Sequence, residues 1–178
     1  MRYRFVEGIV VLLALCISAA CGGYSLAGRG SFLPPHIRTI GVPMFTNLTP
    51  VFDVERKVTE RVVSELIGRG KYKIDRTATG VDAVLAGEIS SITIVPSAFN
   101  AQRQATRYTL VLTAKIEFRD LKENKVVWSN PSMQFRDDYD VTATVTDANA
   151  FFGQDVNAMD RMAAEFARTL VSAILEAF

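Results

Sequence analysis

The feature that most constrains this sequence is an alternation of apolar and mostly polar side chains between Ala105 and Arg119. Successive residues of a β-strand point to opposite faces of the sheet, so the alternation predicts one long strand with a buried face and a solvated face. The chain must therefore build a sheet that has a core on one side. The predicted core side chains are Tyr108, Leu110, Leu112, Ala114, Ile116 and Phe118, and the outward ones are Arg107, Thr109, Val111, Thr113, Lys115, Glu117 and Arg119.

Two helices and further strands complete the predicted fold. Apolar residues recur at helical spacing after Asp53, a candidate N-cap, and again from Met159 to Phe178. The order β, α, β, β, β, β, α is typical of an α+β fold. We expect a two-layer sandwich, with two helices packed on one face of a mixed or antiparallel sheet of about four to five strands. The other predicted strands are Ile37–Pro43, Lys71–Asp75, Val81–Val95 and Lys125–Arg136.

Prolines and acidic residues mark the expected limits of the strands. Pro96 is expected to close the strand before it, whereas Pro131 lies inside a predicted strand and indicates a bulge or an edge position. Asp137, Asp138 and Asp140 are expected to form a solvated turn, because their spacing does not match a calcium loop.

Residues 1–20 have the layout of a bacterial lipoprotein signal peptide. Arg2 and Arg4 precede an apolar run over residues 9–17, which is shorter than the roughly 20 residues that a spanning helix needs. Small residues then lead to Cys21, although Ser18 takes a position where Leu, Val or Ile is usual. The alternative interpretation is a buried core helix. The pattern predicts cleavage before Cys21 and a lipid on that cysteine.

Residues 21–36 are predicted to be the lipidated N-terminus and a short irregular lead, since they are rich in glycine and proline. At about 3.3 to 3.6 Å per residue, the lead reaches at most about 50 Å, which keeps the following domain near its membrane. Residues 37–178 contain no repeat and no second composition block. They are predicted to form one periplasmic α+β domain.

The charge balance argues against a nucleic-acid partner. The leader holds two of the 20 Lys+Arg and one of the 19 Asp+Glu, so its removal leaves 18 of each and a net charge of zero. Any anionic ligand must then be bound by a local cluster. A strand places cations two residues apart on one face, and arginine suits phosphate by its planar fork. The candidates for contact with an anionic lipid or a partner barrel are Arg103, Arg107, Lys115 and Arg119; the alternative is an ordinary solvated sheet face.

The sequence offers little for catalysis or metal binding. The only histidine is His36, beside two prolines in the lead, and we interpret it as a solvated loop residue without a nucleophile nearby. With Cys16 removed and Cys21 lipidated, no thiol remains for a disulfide or a zinc site. We therefore expect no cofactor, no metal and no enzymatic activity.

Short motifs spread over the mature chain resemble the LPS-assembly lipoprotein family, LptE. They are Cys21–Leu26, Pro35, Ile40–Thr49, Glu55, Thr59, Val81–Gly87, Tyr108 and Trp128. The resemblance implies a partner of the LPS-assembly β-barrel LptD, with the domain lodged as a plug in the barrel, anchored to the outer membrane through Cys21 and assisting lipopolysaccharide delivery to the outer leaflet. It implies no reaction, and it carries over Cys21 as the one site residue.

Two other classes look similar around Ile40 to Thr49. One is a periplasmic adaptor or activator lipoprotein of a cell-wall synthase, and the other is a component of a secretion apparatus. An activator must cross the periplasm, which favours a long disordered linker, and the lead here is short. A pore-forming subunit needs amphipathic elements for membrane insertion, and none is evident in the sequence.

Overall fold

The computed structural model describes residues 33–140, 147–154 and 157–177. The predictions for the signal peptide, for Cys21 and for most of the lead lie outside these residues. Within them, the chain forms β1 (Thr39–Gly41), β2 (Thr46–Asn47), α1 (Val54–Gly68), β3 (Lys73–Asp75), β4 (Ala83–Phe99), β5 (Ala105–Asp120), β6 (Lys125–Asp140), α2 (Ala148–Gln154) and α3 (Ala158–Leu175).

The strands make one mixed, open sheet in the order β3, β1, β4, β5, β6, and the short β2 also pairs with β4. β1 runs parallel to both β3 and β4, and β2 runs parallel to β4, whereas β5 is antiparallel to β4 and to β6. The predicted α+β class with a mixed sheet is confirmed. β2 and α2 fall in segments that the sequence predicted as loops.

The alternation along β5 has the predicted effect. All six predicted core side chains from Tyr108 to Phe118 are buried, and the residues between them are exposed or half-buried. The helices α1 and α3 supply the opposing layer with Val58, Val62, Phe166 and Leu170. α1 and α3 lie side by side in the same direction, since Lys57 bonds to Asp160 near their starts and Arg69 bonds to Ser172 near their ends.

Both prolines lie at bulges. β4 does not end at Pro96 as predicted but continues to Phe99, because a register shift between Pro96 and Ala98 removes the need for a ladder hydrogen bond from proline. Pro131 lies in a second bulge, where the pairing passes from Ala114 with Met133 to Ile116 with Asn130. β6 is also the last strand in the sheet order, so the bulge and the edge position are both confirmed.

One local expectation was wrong, and the predicted N-cap of the first helix is confirmed in position only. The acidic residues Asp137, Asp138 and Asp140 lie in β6 rather than in a turn, because each pairs with a residue of β5. Asp53 precedes α1 but makes no capping hydrogen bond; its backbone is left-handed (φ 67°) and its carboxylate pairs with Arg56. None of the described helices is both long and apolar enough to cross a bilayer.

Candidate functional site

The open face of the sheet carries three of the four predicted cations. Arg107, Lys115 and Arg119 alternate with the buried side chains of β5, as the sequence predicted. Each has a carboxylate neighbour. Arg107 Nε lies 2.8 Å from Asp140 Oδ1, and Arg119 Nη2 lies 2.8 Å from Glu117 Oε1. The column of positive charge is therefore balanced by acidic residues along its length.

The electrostatic effect of this pairing is seen at Arg107. The hydrogen bond to Asp140 raises the pKa of the Arg107 guanidinium, and the same bond lowers the pKa of Asp140. Lys115 faces Glu88 across the β4–β5 register. An anionic ligand at this face would have to displace or share these carboxylates.

The four cations are not one cluster. Arg103 lies in the turn between β4 and β5 with a left-handed backbone (φ 62°), at the same end of the sheet as Arg107. Arg119 lies twelve residues beyond Arg107 on β5, a separation of about 40 Å at 3.3 Å per residue. Arg103 and Arg107 are thus at the hairpin end, and Lys115 and Arg119 are toward the opposite end.

A shallow polar depression of about 250 Å³ lies on the open face beside Lys115. Its volume suits water or a small polar group rather than a lipid chain. Its walls come from β2, β4 and β5, and its lining residues are Thr46, Ala86, Gly87, Glu88, Lys115 and Glu117.

The loop between β1 and α1 exposes apolar side chains that the sequence analysis did not single out. Phe52 is 86% exposed, and Met44 and Leu48 are each 60% exposed. Met44 also lines a cavity of about 130 Å³ with Val42 of the loop and Val63 of α1. The available signal was the presence of large apolar residues in a turn-rich segment that fits no helical or strand period.

The same loop is held by the residues that carry the family resemblance. Asn47 Nδ2 donates to Val51 O at 2.8 Å and to Glu55 Oε2 at 2.9 Å. Its Oδ1 accepts from the Thr49 backbone N–H at 2.9 Å, while the Phe45 backbone N–H donates to Thr59 Oγ1 at 3.0 Å. These motif residues position the loop rather than a reacting group.

Gly87 belongs to this arrangement through the buried ring of Phe45. A Cβ atom at Gly87 would lie 2.3 Å from Phe45 Cε2, far closer than non-bonded carbon atoms pack, so the ring would have to move. The motif over residues 81–87 therefore includes a glycine because the aromatic ring of the preceding motif packs on its backbone.

His36 is not the solvated loop residue that the sequence suggested. Its Nε2 lies 2.5 Å from Asp120 Oδ2, and this carboxylate is 1% exposed at the end of β5. Three residues earlier, Leu33 is 2% exposed and belongs to the core. The two residues are 84 apart in sequence, so no local sequence pattern could predict their hydrogen bond.

A second carboxylate ties the start of β1 to the β5–β6 turn. Asp82 Oδ2 accepts from the backbone N–H groups of Arg38 and Thr39 at 2.9 and 2.8 Å, and its Oδ1 lies 2.7 Å from Lys122 Nζ. The Lys122 bond, followed by the two backbone bonds, holds the pKa of Asp82 well below its usual range. Burial opposes ionisation of Asp120, yet the bonds from the Glu123 backbone N–H, His36 and the Lys122 backbone N–H leave its pKa lowered.

His36, Asp120 and Glu123 bring potential ligand atoms within 4.8 Å of one another, the one such grouping in the described part of the chain. An imidazole and two carboxylates are possible ligands for zinc. Here, however, His36 and Asp120 bond directly to each other. The geometry is that of a hydrogen bond that joins the lead to the end of β5.

Comparisons with known proteins identify the family and the fold. A lipopolysaccharide-assembly family model, LptE, matches residues 37–174. No curated protein sequence matches the chain significantly.

Three solved structures illustrate the structural likeness. A hypothetical protein from Chlamydia trachomatis superposes with a TM-score of 0.52 at 12% identity, over 80% of this chain and 97% of that one. A single-substitution variant of PelC from Paraburkholderia phytofirmans, solved as a dodecamer, gives a TM-score of 0.50 at 13% identity, over 77% and 86%. Rare lipoprotein B from Shewanella oneidensis gives 0.48 at 17%, over 79% and 92%. At these identities the likeness is one of fold.

Proposed function

Because this chain belongs to the LptE lipopolysaccharide-assembly family, we propose that it is an outer-membrane lipoprotein that binds an LptD-type β-barrel and assists lipopolysaccharide delivery to the outer leaflet. The family match over residues 37–174 is the observation that carries the proposal. Proteins of this family are non-enzymatic lipoproteins associated with the outer membrane. The role proposed for this chain is accordingly that of a non-catalytic partner.

The proposed anchor is a lipid on Cys21. It rests on the small residues before that cysteine and on the family match downstream. The first described core residue, Leu33, follows Cys21 by twelve residues, or at most about 40 Å of extended chain. The domain then lies on the periplasmic side of the outer membrane or inside the barrel lumen.

The open sheet face is the proposed contact surface for lipopolysaccharide or the barrel wall. One face of the sheet is covered by α1 and α3, while β4, β5 and β6 present polar side chains of both signs on the other. A mixed-charge face suits a protein wall or a ligand with several phosphates, since charge-assisted bonds to arginine are strong and directional. The proposed contact residues remain Arg103, Arg107, Lys115 and Arg119.

An affinity purification from outer membranes tests the function. The full lipoprotein should bring down one large β-barrel, and lipopolysaccharide should appear in the same fraction. A matched variant with exposed helix-side changes, Arg61→Gln and Arg168→Gln, should retain the barrel because these residues lie away from the open face. Recovery of a cell-wall synthase or a secretion component in place of the barrel would establish the rival adaptor function instead.

A further inference from the structure

The end of the domain at which the lead joins the fold is rich in exposed cations. We call this end the base: it comprises the starts of β1, β3, β4 and β6, the end of β5 and the β5–β6 turn. The sheet register aligns Lys73 with Thr39, Ile40 with Ala83 and Asp120 with Lys125, so these residues form one row across five strands. At about 4.8 Å per strand, the row is about 20 Å wide.

The base has an excess of positive charge available to solvent. The buried or half-buried carboxylates of the base already have partners: Asp120 contacts His36, and Asp82 contacts Lys122. Arg38, Lys73 and Lys125 are exposed and have no ion-pair partner within 4 Å among the described residues. The nearby carboxylates are Glu123 in the turn and Asp75, which lies two residues from Lys73 and interacts with it electrostatically, and these two do not offset the three cations.

The lead is fixed to this same end. His36 bonds to Asp120, and the Lys122 ammonium reaches the His36 backbone oxygen at 3.3 Å. These contacts place His36 beside the β5–β6 turn. Leu121, at the tip of that turn, is an exposed apolar side chain (40%) next to the cations.

We propose that the base is a membrane-docking surface that binds anionic phospholipid headgroups of the leaflet holding the lipid anchor. The inference rests on the proposed lipidation of Cys21, which keeps the base within about 40 Å of that leaflet. Arg38, Lys73 and Lys125 supply the attraction, and Leu121 meets the interface between headgroups and acyl chains. A tether and a surface of opposite charge act together, because the anchor raises the local concentration of headgroups around weak individual contacts.

Energy transfer on reconstituted vesicles tests the surface. The mature lipidated chain is labelled with a donor dye at Leu121→Cys for the base, or at Gln102→Cys for the far hairpin, and incorporated into vesicles that carry an acceptor on their headgroups. The vesicles are phosphatidylcholine alone or contain phosphatidylglycerol as a minor component. Transfer from the base label should be greater on the anionic vesicles, and transfer from the hairpin label should not increase.

The cations are tested by substitution. Each basic residue near an anionic surface raises the ratio of docked to undocked base about fivefold. The combined change Arg38→Gln, Lys73→Gln and Lys125→Gln should therefore lower this ratio about 100-fold. The charge-matched control is Arg76→Gln, Arg136→Gln and Arg168→Gln, which lie outside the base and should preserve the transfer. Raising ionic strength from about 0.1 M to about 1 M, which shortens the Debye length from about 10 Å to about 3 Å, should abolish the difference between vesicles.

The outcomes separate the surface from the anchor. Mass spectrometry of the purified chain reads the acyl groups on Cys21 directly, and their absence would contradict the proposed function. If the chain is acylated but energy transfer from the base label is the same on neutral and anionic vesicles, the docking surface is overturned and the proposed function is not. Equal losses in the base and control variants, with unchanged melting curves, would also overturn it, because they would show a response to net charge rather than to the base.

Discussion

At the scale of single residues, the packing of the Phe45 ring on Gly87 is a tight side-chain constraint in the family motifs. Gly87→Ala places a methyl group in the space of the aromatic ring, so the free energy of unfolding should fall by about 1 to 3 kcal/mol, as in other overpacked cores. Urea titration of the folded domain measures the change. Gly68→Ala is the matched control, because Gly68 is helical with nothing within 4 Å of its Cβ position, and the control should be neutral or stabilising by up to about 1 kcal/mol.

The explanation for Gly87 is tested by a double change. Adding Phe45→Leu to Gly87→Ala removes part of the ring that clashes, so the two effects should be less than additive. Additive losses would show that the alanine acts through the strand rather than through the ring.

Asp82 should make folding sensitive to acid. Its pKa is lowered in the folded state, chiefly by Lys122, below the value near 3.9 that an aspartate has in an unfolded chain. The stabilisation is therefore fully present above about pH 4 and is lost as the pH falls through the folded-state pKa. Asp82→Asn should lower the melting temperature at neutral pH and flatten its decline in acid.

Lys122→Met removes the main partner of Asp82 and should flatten the same acid decline. Melting temperatures between about pH 7 and pH 3 provide the measurement. An acid decline of wild-type steepness in both variants would assign the pH dependence to other carboxylates.

At the scale of secondary structure elements, the open face of β5 should contribute to binding and little to stability. The test is the triple variant Arg107→Gln, Lys115→Gln and Arg119→Gln. Each substitution should change the free energy of unfolding by less than about 0.5 kcal/mol, because these side chains are solvated. Glutamine is preferred to glutamate, since Asp140, Glu117 and Glu88 would repel a new carboxylate. Lipopolysaccharide or barrel binding should weaken, most strongly at low salt.

The control for this face is a set of helix-layer cations. Arg61→Gln, Arg69→Gln and Arg168→Gln remove equal charge from the opposite side of the molecule. Equal binding by the β5 variant and the wild type would identify the column as an ordinary solvated face.

The same elements show what the sequence could predict. The faces of β5, the periodicity of α1 and α3 and the bulge at Pro131 follow from local spacing and from the missing N–H of proline, so they were predictable. The continuation of β4 past Pro96 depends on the partner register, and the His36–Asp120 pair depends on the docking of the lead. The charge balance of the open face depends on Asp140 lying beside Arg107. These three features are decided by which distant residues pair with one another, and local patterns in a single sequence do not show that pairing.

At the scale of the whole molecule, Cys21 should be the residue that carries the lipid of the mature chain. Cys21→Ser should give an unprocessed or unanchored form, because the thiol is the group that receives the lipid. Metabolic labelling with a fatty acid, followed by fractionation, measures it. The matched control is Cys16→Ser, which should be labelled and processed normally; label that persists in the Cys21→Ser chain would refute the assignment.

The central place of β1 in the sheet also sets when the chain can fold. β1 is the first described strand, yet it lies between β3 and β4, and Ile40 shares its core with Phe166 of α3. The pairing of Ile40 with Ala83 closes a loop of 43 residues. Closing this loop costs chain entropy before the contacts of the paired strands can form. Folding rates fall as contacts become less local. If the chain is exported behind the predicted signal peptide, β1 must therefore wait for β4 before the sheet can close around it.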